Sequence, residues 1–187
     1  MKIEDLVVAL SSDPFNPELN FACAKAYDSL GQTASAVSFY LRTAEYGLTS
    51  HKDLAYQSLL RMSICFEDQH DRVNSVSNCI LQALTVDPER AEAYFLMARF
   101  HERQRNWQEC YTWASLKLNL IGDKPNMFLD YPGNAGLAFE SAVAAWWIGR
   151  AEESKTMFLQ LLEEELPENY RAAVISNLKR VGFDATV

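Results

Sequence analysis

The stretch that decides the fold runs from Pro17 to Tyr40 and reads PELNFACAKAYDSLGQTASAVSFY. Apolar residues recur in it every three or four positions on both sides of Gly31-Gln32, a spacing typical of amphipathic helices. A link of two residues leaves no room for the chain to cross over. The two helices must therefore lie antiparallel, as a hairpin.

The same period continues through all 187 residues, and no stretch alternates with period 2 for long enough to indicate a strand. Seven glycines and six prolines are too few for the turns of an all-β fold of this length. The sequence therefore predicts an all-α fold. Its ten helices are expected near residues 2–11, 17–30, 33–46, 53–68, 73–85, 91–104, 107–119, 134–147, 151–164 and 168–180.

The helix pairs repeat one another. Asp13-Pro14 precedes one pair and Asp87-Pro88 another, and we expect the proline to open a helix that the aspartate caps. Two small or modest residues also recur about twelve positions apart, and such residues let two helices approach closely. These pairs are Ala24 with Ala36, Ser63 with Val76, Ala98 with Cys110, and Ala142 with Ser154, accompanied by large residues such as Tyr27 with Tyr40 and Tyr94 with Trp113.

This pattern resembles the tetratricopeptide repeat (TPR) family, whose repeat is a helix hairpin with small residues at two fixed positions. Ala24, Ala36, Tyr27 and Tyr40 match the family positions in one repeat, and Ala98, Cys110 and Tyr94 match them in another. The resemblance divides a single domain, 1–187, into a half repeat, four repeats and a capping helix. Their ranges are 2–14 for the half repeat, 17–50, 53–88, 91–122 and 134–167 for the repeats, and 168–181 for the capping helix.

The resemblance implies a right-handed superhelix of antiparallel helix hairpins, an α-solenoid. It also implies a non-enzymatic scaffold that binds a protein or peptide in a concave groove lined by the first helix of each pair. Family geometry places on that groove, or at its end, Phe21, Lys25, Leu60, Arg61, Phe95, Arg99, Phe139, Val143, Trp146 and Trp147.

The groove residues combine apolar and aromatic side chains with three cations, a surface that suits an extended peptide with carboxylates and a few large side chains. In the other interpretation, Lys25 and Arg99 pair with Asp28 and Glu102, three residues further along their own helices. Both interpretations remain open at the level of sequence.

Residues capable of catalysis or metal binding occur without the partners that such chemistry needs. Cys23, Cys65, Cys79 and Cys110 form no CxxC pair and fall on packing positions. His101 takes the place of a core aromatic residue, and the carboxylates of residues 163–165 spread around a helix. We therefore expect no enzyme activity, no cofactor and no metal site.

The charge and hydropathy of the chain limit which class of partner and which cellular location are expected. A net charge of −8 repels a phosphate backbone, so nucleic acid is not an expected partner. No run of 18 apolar residues exists, and acids at Glu4 and Asp5 are unlike a secretory signal. The sequence predicts a soluble cytoplasmic protein with free thiols and no membrane insertion.

Three alternatives stay open. The loop over residues 120–136, with two prolines and three glycines, is either a binding loop or an irregular insertion. Residues 139–154 and the segments after them resemble the repeat regions beside some bacterial and phage glycosyltransferases, which implies an accessory protein that recruits an enzyme or acceptor. The repeats also allow self-assembly, including a homodimer through the N-terminal half repeat, whose apolar stripe holds Ile3, Leu6, Val7 and Leu10.

Overall fold

A computed structural model of the chain describes residues 2–69, 72–119, 123–180 and 182. Within these ranges it consists of ten α-helices and one short 3-10 helix, with no strand, which confirms the all-α fold class. Every predicted helix is present, with ends within three residues of those expected. The bounds are α1 Ile3–Ser12, α2 Pro17–Ser29, α3 Thr33–Gly47, α4 Lys52–Glu67, α5 Val73–Val86, α6 Ala91–Arg103, α7 Trp107–Leu116, α8 Asn134–Trp147, α9 Ala151–Glu163, α10 Glu168–Arg180, and the 3-10 helix Met127–Leu129.

None of these described helices combines the length and the apolar character needed to cross a bilayer.

The chain divides into two compact units, one ending at Ala93 and the other beginning at Tyr94. In the first unit, α2 packs against α1 and α3, while α4 packs against α3, α5 and α2. In the second unit, α8 packs between α7 and α9, and α10 packs against α9. That all the repeats form a single domain stays a prediction. So do the repeat boundaries, of which 122 and 181 lie outside the described residues.

The small residues predicted to lie at close helix contacts are buried. Ala24, Ala36, Ala98 and Cys110 are each 0% exposed. In α9 the Ser154 hydroxyl is buried as well and donates a hydrogen bond of 2.7 Å to the carbonyl oxygen of Ala142 in α8. A larger side chain at these positions would force the helices apart.

Three helix ends share one turn geometry. Gly31 after α2, Arg105 after α6 and Gly149 after α8 have φ angles of 69°, 57° and 84°, all in the left-handed region. In each turn the N–H of this residue and that of the next donate to two carbonyls in the last turn of the helix. Glycine is the usual residue in such a cap, because it has no Cβ to crowd the backbone.

Two local predictions are wrong. Asn16, not Asp13, caps α2 by accepting the Leu19 N–H at 3.0 Å, with Pro17 as the first helical residue. Likewise α6 begins at Ala91, three residues beyond Pro88, and the Asp87 carboxylate accepts the Glu89 N–H instead. Each Asp-Pro pair belongs to the turn before the helix. The Asp87 carboxylate bonds the backbone two residues further on, whereas the Asp13 carboxylate accepts a hydrogen bond of 3.1 Å from the side-chain amide of Asn16.

Aromatic pairing agrees with the sequence in one pair and differs in another. The rings of Tyr94 and Trp113 lie 6.0 Å apart, as predicted. Tyr27 stacks on Phe39 at 5.5 Å with nearly parallel rings, whereas Tyr40 packs edge-on against Phe21 at 6.0 Å.

Candidate functional site

Two of the ten residues predicted to face a partner lie in the core. Leu60 and Phe95 are 0% exposed, so neither offers a surface as the chain is folded. Leu60 is buried because α4 packs against three other helices of its unit and hides most of its circumference. Phe95 is buried because the ring of Tyr131, from the segment before α8, packs against it at 5.2 Å.

Arg61 is engaged inside the first unit. Its Nε and one terminal nitrogen donate to the same carboxylate oxygen of Asp28, at 3.0 and 2.7 Å, and the Tyr40 hydroxyl donates to that oxygen at 2.8 Å. Both charged side chains are 17% exposed. Arg61 therefore stabilises the helix packing of this unit. Its partner, Asp28, is the residue that the sequence also offered as an ion-pair partner for Lys25.

The other residues predicted in the first unit line a cavity of about 460 Å³. The Lys25 ammonium lies 5.7 Å from the centre of the Phe21 ring, a cation–π contact. Lys25 is exposed and Phe21 is half-buried. The cavity walls are Leu6, Glu18, Phe21, Ala22, Lys25, Ala26 and Leu54.

The five remaining predicted residues lie together in the second unit, where they line three neighbouring cavities. Phe139 on α8 belongs to the walls of two of them, of about 580 and 610 Å³. Val143 and Trp147 are shared by the second and a third, of about 310 Å³. Phe139 borders both the first and the second cavity, and Val143, Trp147, Asn177 and Arg180 border both the second and the third. We call the three neighbouring cavities together the α8 groove. The first cavity is lined by Arg99, Pro125, Met127, Asp130, Pro132, Phe139, Pro167, Asn169, Tyr170 and Ala173.

The loop before α8 forms one end of the α8 groove. Asn126 and Tyr131 exchange backbone hydrogen bonds of 2.8 and 3.0 Å, which close the loop around the 3-10 helix. The Tyr131 hydroxyl also donates to the Asp123 carboxylate. This closure leaves the Met127 side chain 75% exposed at the edge of the groove, while Leu129 is fully buried. Residues 120–122 of the predicted loop lie outside the described residues.

Two tryptophans form the other end of the α8 groove. The indoles of Trp107 and Trp147 stack with centres 5.1 Å apart and planes 11° apart, and Trp147 remains 59% exposed. Trp146 beside it is 37% exposed. Three arginines and one glutamate surround the indoles, namely Arg103, Arg105, Arg180 and Glu102.

Glu140 follows Phe139 on α8 and is only 7% exposed. Its carboxyl group has no hydrogen bond or ion pair among the residues that the structure describes. Burial and the nearby charge of Glu102 raise the pKa of Glu140 to about 7, opposed by Arg99 and Arg103. The Glu140 carboxyl group therefore changes between its neutral and its ionised form near neutral pH.

The cysteines do not have the features of nucleophiles. All four are free and buried, as predicted. Burial raises the pKa of Cys65 and of Cys79 to about 11, and it also raises the pKa of Cys23 and Cys110. Burial lowers the pKa of His101, which suits its predicted packing role.

Several residues of the α8 groove are absent from the sequence-based prediction. Asn169, Tyr170, Asn177 and Arg180 come from α10, which the sequence presented only as a capping helix. In the structure α10 packs its Val174 and Leu178 against Phe158 and Leu161, much as another first helix would. Pro167, at the position where a repeat ends, was the sequence signal that a further repeat-like helix follows.

No protein-family profile matches the sequence, and no curated protein matches it. Solved structures of TPR proteins do match its fold. MamA is 16% identical, with 91% of this chain and 89% of that chain aligned at a TM-score of 0.67. TTC0263 from Thermus thermophilus is 14% identical, with 95% and 89% aligned at 0.63. YrrB, described as a TPR protein with an unusual peptide-binding site, is 12% identical, with 98% and 88% aligned at 0.66.

The fold of this chain is therefore that of the TPR proteins, an α-solenoid built from helix hairpins, as the sequence predicts. The narrower resemblance to glycosyltransferase repeat regions finds no support in these comparisons.

Proposed function

We propose that the chain is a non-enzymatic scaffold that binds a peptide or protein partner in the α8 groove. The observation that carries this proposal is the continuity of the groove, which runs past Phe139 and Val143 from the exposed Met127 to the exposed Trp147. Exposed aromatic and methionine side chains beside a concave surface are typical of protein-binding sites. The likeness of the fold to that of YrrB, a TPR protein with an unusual peptide-binding site, supports such a role.

The proposal narrows the set of partner-binding residues. Arg99, Phe139, Val143, Trp146 and Trp147 remain in it, because all five line the α8 groove. Phe21 and Lys25 line a cavity of the first unit and are not among the residues that line the α8 groove.

A non-enzymatic role fits the chemistry of the described residues. Buried cysteines with raised pKa values hold their thiols protonated, which makes them poor nucleophiles and poor metal ligands. Free thiols also fit a reducing compartment, so the proposed location is the cytoplasm. The net charge of −8 favours a protein over a nucleic acid as partner.

The experiment is a selection of random displayed peptides on the purified chain, followed by binding measurements on two double variants. The groove variant carries Met127→Glu and Trp147→Glu, one change at each end of the α8 groove. The control variant carries Phe15→Glu and Leu30→Glu, at side chains that are 65% and 61% exposed and lie outside the groove. All four positions are exposed, so both variants are expected to fold.

Selected peptides should bind the wild-type chain and the control variant alike. Binding to the groove variant should fall at least roughly tenfold, the effect of losing one anchor residue at an interface. Peptides that bind both variants as well as wild type would place the binding site elsewhere and refute the proposal.

Self-association through the N-terminal half repeat is a second part of the proposal. Leu6 and Leu10 are covered by the first unit, at 3% and 8% exposure, whereas Val7 and Val8 are 43% and 68% exposed. A second copy that covers both valines would form a homodimer. Sedimentation equilibrium should show a dimer for the wild-type chain and a monomer for the double variant Val7→Glu with Val8→Glu. A wild-type chain that stays monomeric at high concentration would rule the homodimer out.

A further inference from the structure

The turn after α6 carries an arginine where the matching turns after α2 and α8 carry glycine. Arg105 has a φ of 57°, beside 69° for Gly31 and 84° for Gly149. A side chain with a Cβ is disfavoured in this left-handed region. The presence of arginine there despite this backbone cost points to a role of the side chain itself.

Arg105 lines the second cavity of the α8 groove, together with Trp107, Trp147 and Arg180. Arg105 and Arg180 are both exposed. Neither guanidinium has an ion pair or hydrogen bond within the described parts of the chain. Their charge is therefore available to a ligand at this end of the groove.

The third cavity, of about 310 Å³, is lined by one of these arginines, Arg180, and its walls are mostly apolar. Its volume is at the small end of ligand pockets, which run from roughly 300 to 1,000 Å³, so it suits one large side chain. Contacts between aromatic rings stabilise a complex by more than the burial of their apolar area alone. The cavity is lined by Val143, Trp146, Trp147, Phe158, Asn177 and Arg180.

We propose that this end of the groove binds an acidic segment of a partner protein through one aromatic anchor. The anchor ring occupies the cavity between Trp146, Trp147 and Phe158. Carboxylates on either side of it pair with Arg105 and Arg180. The inference rests on the proposed function and specifies which partner the groove prefers.

Aromatic side chains beside arginines also suit single-stranded nucleic acid, but two features favour a peptide. Nucleic acid needs a positive track along several nucleotides and repeated stacking platforms, whereas the stack of Trp107 and Trp147 is confined to one end of the groove. The chain also carries a net charge of −8, which repels a long polyanion. A short acidic segment responds mainly to charges within a Debye length of about 8 Å. The wall of the second cavity holds Arg103, Arg105 and Arg180 beside one acid, Glu102.

The test measures fluorescence anisotropy of a labelled peptide with one phenylalanine flanked on each side by two glutamates, in an otherwise glycine-serine sequence. Matched peptides replace the phenylalanine by alanine or all the glutamates by glutamine. The parent peptide should bind wild type at least roughly tenfold more tightly than either matched peptide. Unlabelled oligothymidylate is added as a competitor.

Trp147→Ala should weaken binding of the parent peptide roughly tenfold. Its control is Phe15→Ala, which removes another exposed aromatic, 5.1 Å from Tyr46, and should leave binding unchanged. Arg105→Gly is the sharpest variant, because it should weaken binding roughly fivefold without lowering the melting temperature. A purely structural role for Arg105 predicts no change in binding.

The proposal fails if the glutamine peptide binds as tightly as the parent, if Arg105→Gly and Trp147→Ala bind like wild type, or if oligothymidylate displaces the peptide more effectively than unlabelled parent peptide. Failure of this inference is distinguishable from failure of the proposed function. If displayed random peptides still require the α8 groove but their consensus lacks acids or an aromatic residue, the groove binds a different class of peptide.

Discussion

The guanidinium of Arg61 on α4 donates twice to one carboxylate oxygen of Asp28 on α2, so the pair joins two helices that are not neighbours in sequence. Both side chains are largely removed from water, and the Tyr40 hydroxyl shares the same oxygen. Removing one partner of such a pair leaves an uncompensated charge.

Arg61→Ala should lower the free energy of unfolding by about 3 kcal/mol, because the Asp28 carboxylate stays buried without its cation. Urea denaturation measures the change. Arg42→Ala is the matched control, since Arg42 is an exposed arginine that contacts the ring of Phe39. Equal losses in the two variants would contradict a structural role for the ion pair.

Ala98→Leu should destabilise the second unit. Ala98 is 0% exposed, and overpacking of a close helix contact costs roughly 1–3 kcal/mol. Thermal melting should therefore show a clear decrease, while Ala34→Leu, at an exposed position of α3, should melt like wild type. An unchanged melting temperature for Ala98→Leu would mean that the predicted repeat register is wrong.

The fold was predictable because its signals are local. Small residues about twelve positions apart and tight links such as Gly31-Gln32 depend only on neighbouring residues, and they predict the helix hairpins correctly. The predicted cap of α2 was misplaced because Asn16 and Asp13 are both good capping residues, and only the backbone geometry distinguishes them.

The site was only partly predictable because its features depend on contacts far apart in sequence. Phe95 occupies a position expected to face the groove, yet Tyr131, which is 36 positions away, covers it. Arg61 finds its carboxylate in a different repeat. Arg105 appears in sequence as an ordinary turn residue, and only its φ angle distinguishes it.

The buried carboxyl of Glu140 should make stability depend on pH. Its folded pKa of about 7 lies above its ordinary value of 4.5, so the folded state holds this proton more tightly than the unfolded state. The contribution of Glu140 to stability is therefore largest at low pH and decreases as pH rises through the window between these two values.

Glu140→Gln should remove that decrease and raise the free energy of unfolding at about pH 8 by up to about 3 kcal/mol. Denaturation across the pH window measures the difference from wild type. Glu163→Gln, at an exposed position of α9, should leave the pH profile unchanged. Parallel profiles for wild type and Glu140→Gln would show that the carboxyl titrates normally.

Gly136→Ala should open the loop end of the α8 groove. A Cβ at Gly136 would lie 2.5 Å from Cγ of Pro132 and 2.8 Å from Cε2 of Phe95. Both distances are shorter than the van der Waals contact between two carbon atoms. The proline ring cannot rotate away, so the loop before α8 must move and uncover Phe95. The expected cost of roughly 1–3 kcal/mol exceeds the gain of about 1 kcal/mol from replacing glycine by alanine in a helix.

Hydrogen exchange measures this opening directly, because the backbone N–H groups of Asn126 and Tyr131 close the loop through their mutual hydrogen bonds. Both amides should exchange faster in Gly136→Ala than in wild type. Gly149→Ala is the control, since its φ of 84° makes alanine unfavourable although no atom lies within 4 Å of the added Cβ. It should lower the melting temperature and leave exchange at Asn126 and Tyr131 unchanged, whereas faster exchange in both variants would indicate general destabilisation instead of a loop held shut at Gly136.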